Sequence, residues 1–164
     1  MKNSGNWAVD EDFGAYPSGN NINQPLVLKT TLIPDLNKKN YTVEVEMILN
    51  EGRSWDAAGG GFLINASLDS YPKKNTITFC REEFMSTDGI WVGYDKIANY
   101  EFEFNKYYKL KVDVDSETNT VDIYLDDKYF SSKTIENKGN MIGLWGSYPN
   151  GKENFKNFRL TVNE

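Results

Sequence analysis

The stretch Tyr41-Thr42-Val43-Glu44-Val45-Glu46-Met47-Ile48-Leu49 decides the fold. In an extended chain Tyr41, Val43, Val45, Met47 and Leu49 share one face, while Thr42, Glu44 and Glu46 share the other. A period of two predicts a half-buried β-strand, because successive side chains of a strand point to opposite sides. The same alternation runs through Tyr108, Leu110, Val112 and Val114 against Lys109, Lys111 and Asp113. It resumes at Val121, Ile123 and Leu125 against Asp122 and Tyr124. Between them Asp115-Ser116-Glu117-Thr118-Asn119 is polar and rich in turn formers, which predicts a hairpin. Asp126-Asp127-Lys128 then turns the chain into Tyr129-Phe130.

Working outward, strands are expected at Leu26 to Thr31, Gly60 to Asn65, Asn75 to Arg81, Ile90 to Tyr94, Met141 to Trp145 and Asn154 to Val162. Pro34-Asp35, Gly59-Gly60-Gly61, Tyr71-Pro72, Thr87-Asp88-Gly89, Lys138-Gly139-Asn140 and Pro149-Asn150-Gly151 separate them. Helical periodicity is absent. Many short strands with such punctuation predict an all-β protein, an antiparallel sandwich or jelly roll. The 164 residues suit one domain spanning 1–164, with no linker and no internal repeat.

Histidine is absent and Cys80 is the only cysteine, which excludes Ser-His-Asp and Cys-His triads, His-ligated zinc, CxxC pairs and internal disulfides. Cys80 itself is expected to pack as a small hydrophobe. The net charge is -6, without a basic stripe, so neither nucleic acid nor an anionic membrane is an expected partner. No apolar run reaches the roughly 18 residues of a membrane span, and Met1-Lys2-Asn3-Ser4 lacks a hydrophobic leader core. The 14% of aromatic residues exceeds what a core of this size requires. Which rings are surplus is therefore the functional question.

Tyr107-Tyr108-Lys109-Leu110-Lys111-Val112-Asp113-Val114, Val121-Asp122-Ile123-Tyr124-Leu125-Asp126-Asp127, Met141-Ile142-Gly143-Leu144-Trp145 and Phe155-Lys156-Asn157-Phe158-Arg159-Leu160 together resemble concanavalin A-like, laminin G-like sandwich domains. Tyr41 to Leu49 followed by Gly60-Gly61-Phe62-Leu63-Ile64 resembles the Y-x-V-E-V strand and the Gly-rich strand of that family. The resemblance implies a concanavalin A-like lectin or glucanase type of fold. Among such domains it is nearest to the carbohydrate-binding modules of secreted polysaccharide hydrolases, including levan-binding ones. The chain departs from the pattern at Asp127, where a turn glycine is usual, and it has no complete calcium-loop motif.

Strand parity adds a reading of its own. If Ile142 and Leu144 are buried, Trp145 faces outward, and if Ile90, Val92 and Tyr94 face one way, Trp91 faces the other. An indole plate beside hydrogen-bonding groups suits a sugar, with its apolar C–H face and its fringe of hydroxyls. Trp91 and Trp145 are thus the first expected stacking platforms, with Trp55 and Tyr148 in polar loops as further contacts. Arg81, Glu82, Tyr94 and Asn65 are expected to supply hydrogen bonds. Trp7 is expected to anchor the N-terminal segment.

The expected function is non-catalytic binding of a polysaccharide or glycan by a monomer, as a module of a larger secreted or cell-surface protein whose leader is not in this chain. One rival is a sandwich-fold glycoside hydrolase or polysaccharide lyase using a Tyr and Arg pair, or Glu44 or Glu46, whose i, i+2 spacing on one strand face can meet the carboxylate separations such enzymes need. No E-x-D-x-x-E strand motif supports it. Another rival is a laminin G-like protein-binding adhesion domain. No catalytic residue, cofactor or metal ligand is assigned. Structural calcium stays open as the one cation that Asp10-Glu11-Asp12 or the turn 113–119 offers oxygen ligands to.

Overall fold

The computed structural model describes residues 2–3, 7–10, 14–18, 24–27, 33–51, 57–67, 72–82, 88–146 and 153–163. Their strands are β1 (Lys2–Asn3), β2 (Trp7–Asp10), β3 (Gly14–Pro17), β4 (Gln24–Val27), β5 (Tyr41–Leu49), β6 (Ala57–Ala66) and β7 (Thr76–Glu82). They continue as β8 (Gly89–Val92), β9 (Asp95–Ala98), β10 (Tyr107–Asp115), β11 (Thr120–Leu125), β12 (Lys128–Thr134), β13 (Met141–Gly146) and β14 (Glu153–Val162). Two short 3-10 turns, Leu36–Lys38 and Pro72–Asn75, are the only helical segments among the described residues.

The strands form two seven-stranded sheets. Sheet A runs β1-β4-β13-β6-β7-β8-β9 and sheet B runs β12-β11-β10-β5-β14-β3-β2. Every pairing among the described strands is antiparallel. The molecule is therefore the all-β sandwich that the sequence pattern predicts, with strand β5 coinciding with the expected Tyr41 to Leu49.

The alternating apolar residues do what their period requires. Tyr41, Val43, Val45 and Met47 of β5, Tyr108, Leu110 and Val112 of β10, and Val121 and Ile123 of β11 all point inward from sheet B into one buried cluster. Phe62 and Ile64 of β6, Ile77 and Phe79 of β7, Ile90 of β8 and Ile142 and Leu144 of β13 meet them from sheet A. Between β9 and β10 the chain leaves sheet A for sheet B, and Phe102 seals that crossing. Its ring packs edge-on against Tyr108 at 5.0 Å and Phe79 at 6.1 Å, a favoured geometry for aromatic quadrupoles.

One polar contact joins the sheets through this apolar layer. The Tyr41 hydroxyl donates to Asn65 Oδ1 at 2.7 Å. Burial pushes the Tyr41 phenol well above its usual range, which keeps the donating proton in place. Asn65 has a left-handed backbone (φ 46) at the end of β6. Its carbonyl accepts from the amides of Lys138 and Gly139 at 2.9 and 3.1 Å, which sets the entry to β13.

The β11–β12 turn explains the departure at Asp127. Asp126 and Asp127 both have positive φ, 50° and 61°, as a two-residue hairpin with right-handed strand twist requires. Asp126 accepts from the Lys109 amide at 2.9 Å, a local bond that offsets the strain of its left-handed backbone, and Asp127 accepts from Lys109 Nζ at 2.7 Å. The Asp127 ion pair is exposed and contributes little. Asp127→Gly is accordingly expected to stabilise the domain by about 0.5–1 kcal/mol, whereas Asp127→Ala, which keeps the strain and removes the bond, is expected to destabilise it. Urea denaturation of the two variants against the parent chain decides the point.

Candidate functional site

Register places a row of side chains across the outer face of sheet A. Trp145 pairs with Gly61, Gly61 with Thr78, Thr78 with Trp91, and Trp91 with Lys96. Directly paired residues leave the same face of a sheet. Because Ile77, Phe79, Ile90, Ile142 and Leu144 occupy the core side, the row faces outward, as parity predicts for both tryptophans.

The two indoles nevertheless differ. Trp145 is only 1% exposed and packs with Val27, Leu63, Ala66 and Met141 in a second, smaller apolar cluster. An open stacking platform at Trp145 is therefore corrected. Parity gives the direction of a side chain, but it does not reveal that the outer face has a core of its own. Trp91 is half-buried. The Lys96 ammonium stands 6.0 Å from its ring centroid. Thr78, also half-buried, lies beside it. Lys96 was not foreseen from the sequence. A turn at Gly93, whose φ is 62°, ends β8 before Tyr94 and brings Lys96 back alongside Trp91, and a Gly-centred turn was the signal for it.

The remaining expected contacts do not converge on this row. Arg81 follows Phe79 by two residues and so leaves the core side of β7. Its side chain is 16% exposed, with Nη1 2.7 Å from Glu101 Oε1 and 4.0 Å from Asp88 Oδ2. The guanidinium also lies 5.5 Å from the Phe104 ring. It packs at the end of the core, with its ion pairs to Glu101 and Asp88, and not beside Trp91. Asn65 is 1% exposed and committed to Tyr41, so its expected place at a ligand is likewise corrected: the side chain serves the inter-sheet bond. Tyr94 is 55% exposed at the β8–β9 turn, the opposite end of β8 from the Cys80–Gly89 pair next to Arg81. Glu82 ends β7, with its side chain outside the described set. Trp55 and Tyr148 lie outside the described residues, as does the side chain of Trp7.

Glu44 and Glu46 lie on the outer face of sheet B, on the other side of the molecule from Trp91. Glu44 pairs with Lys109 at 3.3 Å and Arg159 at 3.9 Å. Glu46 pairs with Lys156 at 3.4 Å. A register shift in β14 between Lys156 and Arg159 turns Asn157 so that Nδ2 donates to Glu46 Oε1 at 2.9 Å. That bond, more than the nearby lysines, holds the Glu46 carboxyl below its usual range. A glycosidase acid needs the opposite shift. Alternating charges across β14, β5 and β10 thus make a self-neutralised ladder.

Among the described residues no three acidic or cysteine side chains converge on a metal position. Asp115 in the candidate calcium turn accepts from the amides of Glu117 and Thr118 at 2.9 and 3.3 Å, and those bonds shape the turn. Asp10 is described by backbone alone, and residues 11 and 12 lie outside the described set. No helix among the described residues is long and apolar enough to cross a membrane.

No family model matches the chain, and no curated protein matches it by sequence. Solved structures do match by fold. The carbohydrate-binding module CBM66 from Bacillus subtilis aligns with a TM-score of 0.64 at 16% identity, over 97% of this chain and 93% of that one. Lectin II from Ulex europaeus aligns at 0.61 and 8% identity, over 99% and 92%. The alginate lyase from Corynebacterium sp. aligns at 0.57 and 9% identity, over 99% and 83%. These likenesses establish the concanavalin A-like sandwich, a fold common to binding proteins and enzymes.

Two outcomes are expected from this placement. Trp145→Ala removes a fully packed indole and should destabilise the domain by about 3–5 kcal/mol, as read from its urea midpoint. A depressed carboxyl such as Glu46 contributes stability that is complete above its ordinary value of 4.5 and is lost as the pH falls through the folded value. Glu46→Gln should therefore lower the urea midpoint at about pH 7 and converge on the parent chain at about pH 3.

Proposed function

We propose that this domain binds carbohydrate without altering it, using Trp91 on the outer face of sheet A as its stacking surface. The observation that carries the reading is the half-buried indole of Trp91, paired in register with a hydroxyl residue, Thr78, on one side and a cation, Lys96, on the other. A sugar laid on the indole exchanges the water on two apolar faces for contact, and the flanking groups fix its orientation. The carbohydrate-binding module and the lectin that share the fold support the class of ligand. The paired, low-pKa Glu46 favours binding over hydrolysis at the strand carboxylates.

An extracellular setting, as a module of a larger secreted or surface protein, suits such a function. The alginate lyase of the same fold gives the competing reading, in which a polysaccharide is cleaved. A glycan array followed by calorimetry separates them. Binding is expected with no reducing end or unsaturated product released. Trp91→Ala is expected to weaken it at least about tenfold, the usual effect of truncating an aromatic anchor, while leaving the urea midpoint near that of the parent. Product release from a polysaccharide panel, or binding indifferent to Trp91, would sink the proposal.

A further inference from the structure

We infer that the domain carries a second sugar-contact site, on the sheet opposite to Trp91, where Tyr129 and Tyr124 receive the ring of a neutral sugar and Asp122 and Ser132 take its hydroxyls. The site stands on its own observations and does not depend on Trp91. Among the described residues Tyr94 and Tyr129 are the exposed large apolar side chains, and Tyr129 is 59% exposed. Its ring meets that of the half-buried Tyr124 edge to face, with centroids 5.7 Å apart. Such a pair fixes the orientation of both rings while most of Tyr129 stays open to a ligand.

A bulge assembles the site. Ile123 and Leu125 of β11 are buried, which sends Asp122 and Tyr124 to the outer face of sheet B. Tyr129 pairs with Tyr124 and Ser132 with Asp122, so each pair leaves the same face. Tyr129 and Ser132 are an odd number of residues apart, and unbroken alternation would put them on opposite faces. The register shift between Ile123 and Tyr124 takes up one residue, Phe130, which packs against the core. A bulge re-aims the side chains beyond it. Here it sets a hydroxyl and a carboxylate beside an aromatic pair at the edge of the sheet.

The charges select the ligand. Asp113 accepts from Thr42 Oγ1 at 2.7 Å and pairs with Lys111 at 2.9 Å. Asp122, opposite Asp113 in register and half-buried, makes no side-chain hydrogen bond or ion pair among the described residues. A carboxylate accepts through two oxygens, and a hydroxyl bonds to a charged acceptor roughly twice as strongly as to a neutral one. The Lys111 ammonium, 4.1 Å from the Tyr124 centroid, opposes a second cation, while Asp113 and Asp122 oppose an anion. An uncharged ligand with an apolar face for the rings and adjacent hydroxyls for Asp122 and Ser132 fits both limits. An open ring buries less of a ligand than an enclosed pocket does, so binding is expected to be weaker here than at Trp91.

The test titrates the whole chain, isotope-labelled in its tyrosine and tryptophan rings, with cellotriose, maltotriose, mannotriose and xylotriose beside trigalacturonate, and follows the ring signals by NMR. At least one neutral trimer should shift Tyr124 and Tyr129, in the parent and in Trp91→Ala alike, with an affinity that salt leaves unchanged. Tyr129→Ala should weaken this binding about tenfold, read at Tyr124, with the urea midpoint near that of the parent. Asp122→Asn should weaken it about threefold or more, and trigalacturonate should bind less well than the neutral trimer. If no neutral trimer moves the two tyrosines, if trigalacturonate binds there more tightly, or if Tyr129→Ala and Asp122→Asn both leave binding undiminished, the inference is overturned. Shifts at Tyr124 and Tyr129 without any at Trp91 support this site and remove the stacking role of Trp91; the reverse removes this site and leaves that role.

Discussion

A side chain in a β-strand has two directions open to it, and in this domain the packing of two sheets claims one of them. That constraint acts first on β5, which lies in the middle of sheet B between β10 and β14. Once Tyr41, Val43, Val45 and Met47 are committed inward, register with β10 sends Leu110 and Val112 the same way. The Tyr41 to Asn65 bond carries the arrangement to sheet A, where Asn65 in turn holds the approach to β13. A polar pair in an otherwise apolar layer admits fewer alternative alignments than an apolar contact would, because a slipped register leaves an amide without its partner.

The two outer faces left over by this commitment have different chemistry. Across β14, β5 and β10 sheet B presents cations and carboxylates that pair with one another, and that part of the surface has little electrostatic attraction left to offer a ligand. Sheet A presents an apolar patch that closes over Trp145 and leaves Trp91 at its margin. The candidate site is therefore the boundary between a covered and an uncovered part of one sheet. Aromatic surface, a hydroxyl and a cation meet there.

The sequence made the sandwich legible because its strongest signals are the ones that packing enforces. Tyr41 to Met47, and the two strands of the hairpin from Tyr107 to Leu125, alternate regularly, and both appear where the period places them. The edge strands Asp95–Ala98 and Lys128–Thr134 were not legible: each has a neighbour on one side only, the first is four residues long and the second mostly polar, so neither shows a sustained alternation. At the site the same limit applies. Alternation gave the outward direction of Trp91 and Trp145 correctly. It could not give the burial of Trp145, which depends on residues brought together from β4, β6 and β13, nor the diversion of Arg81 to Glu101.

The position of β14 has a consequence in time. Its pairings with β5 join Tyr41 to Val162 and Leu49 to Glu153, across most of the length of the chain. A ribosome delivers β5 well before β14, with about a hundred residues between them. Until then the central strand of sheet B has an unpaired flank, with backbone groups open to any other extended chain. The local hairpin of β10 and β11 forms sooner and protects only the opposite flank. The interval before β14 is released leaves that flank of β5 open to mispairing.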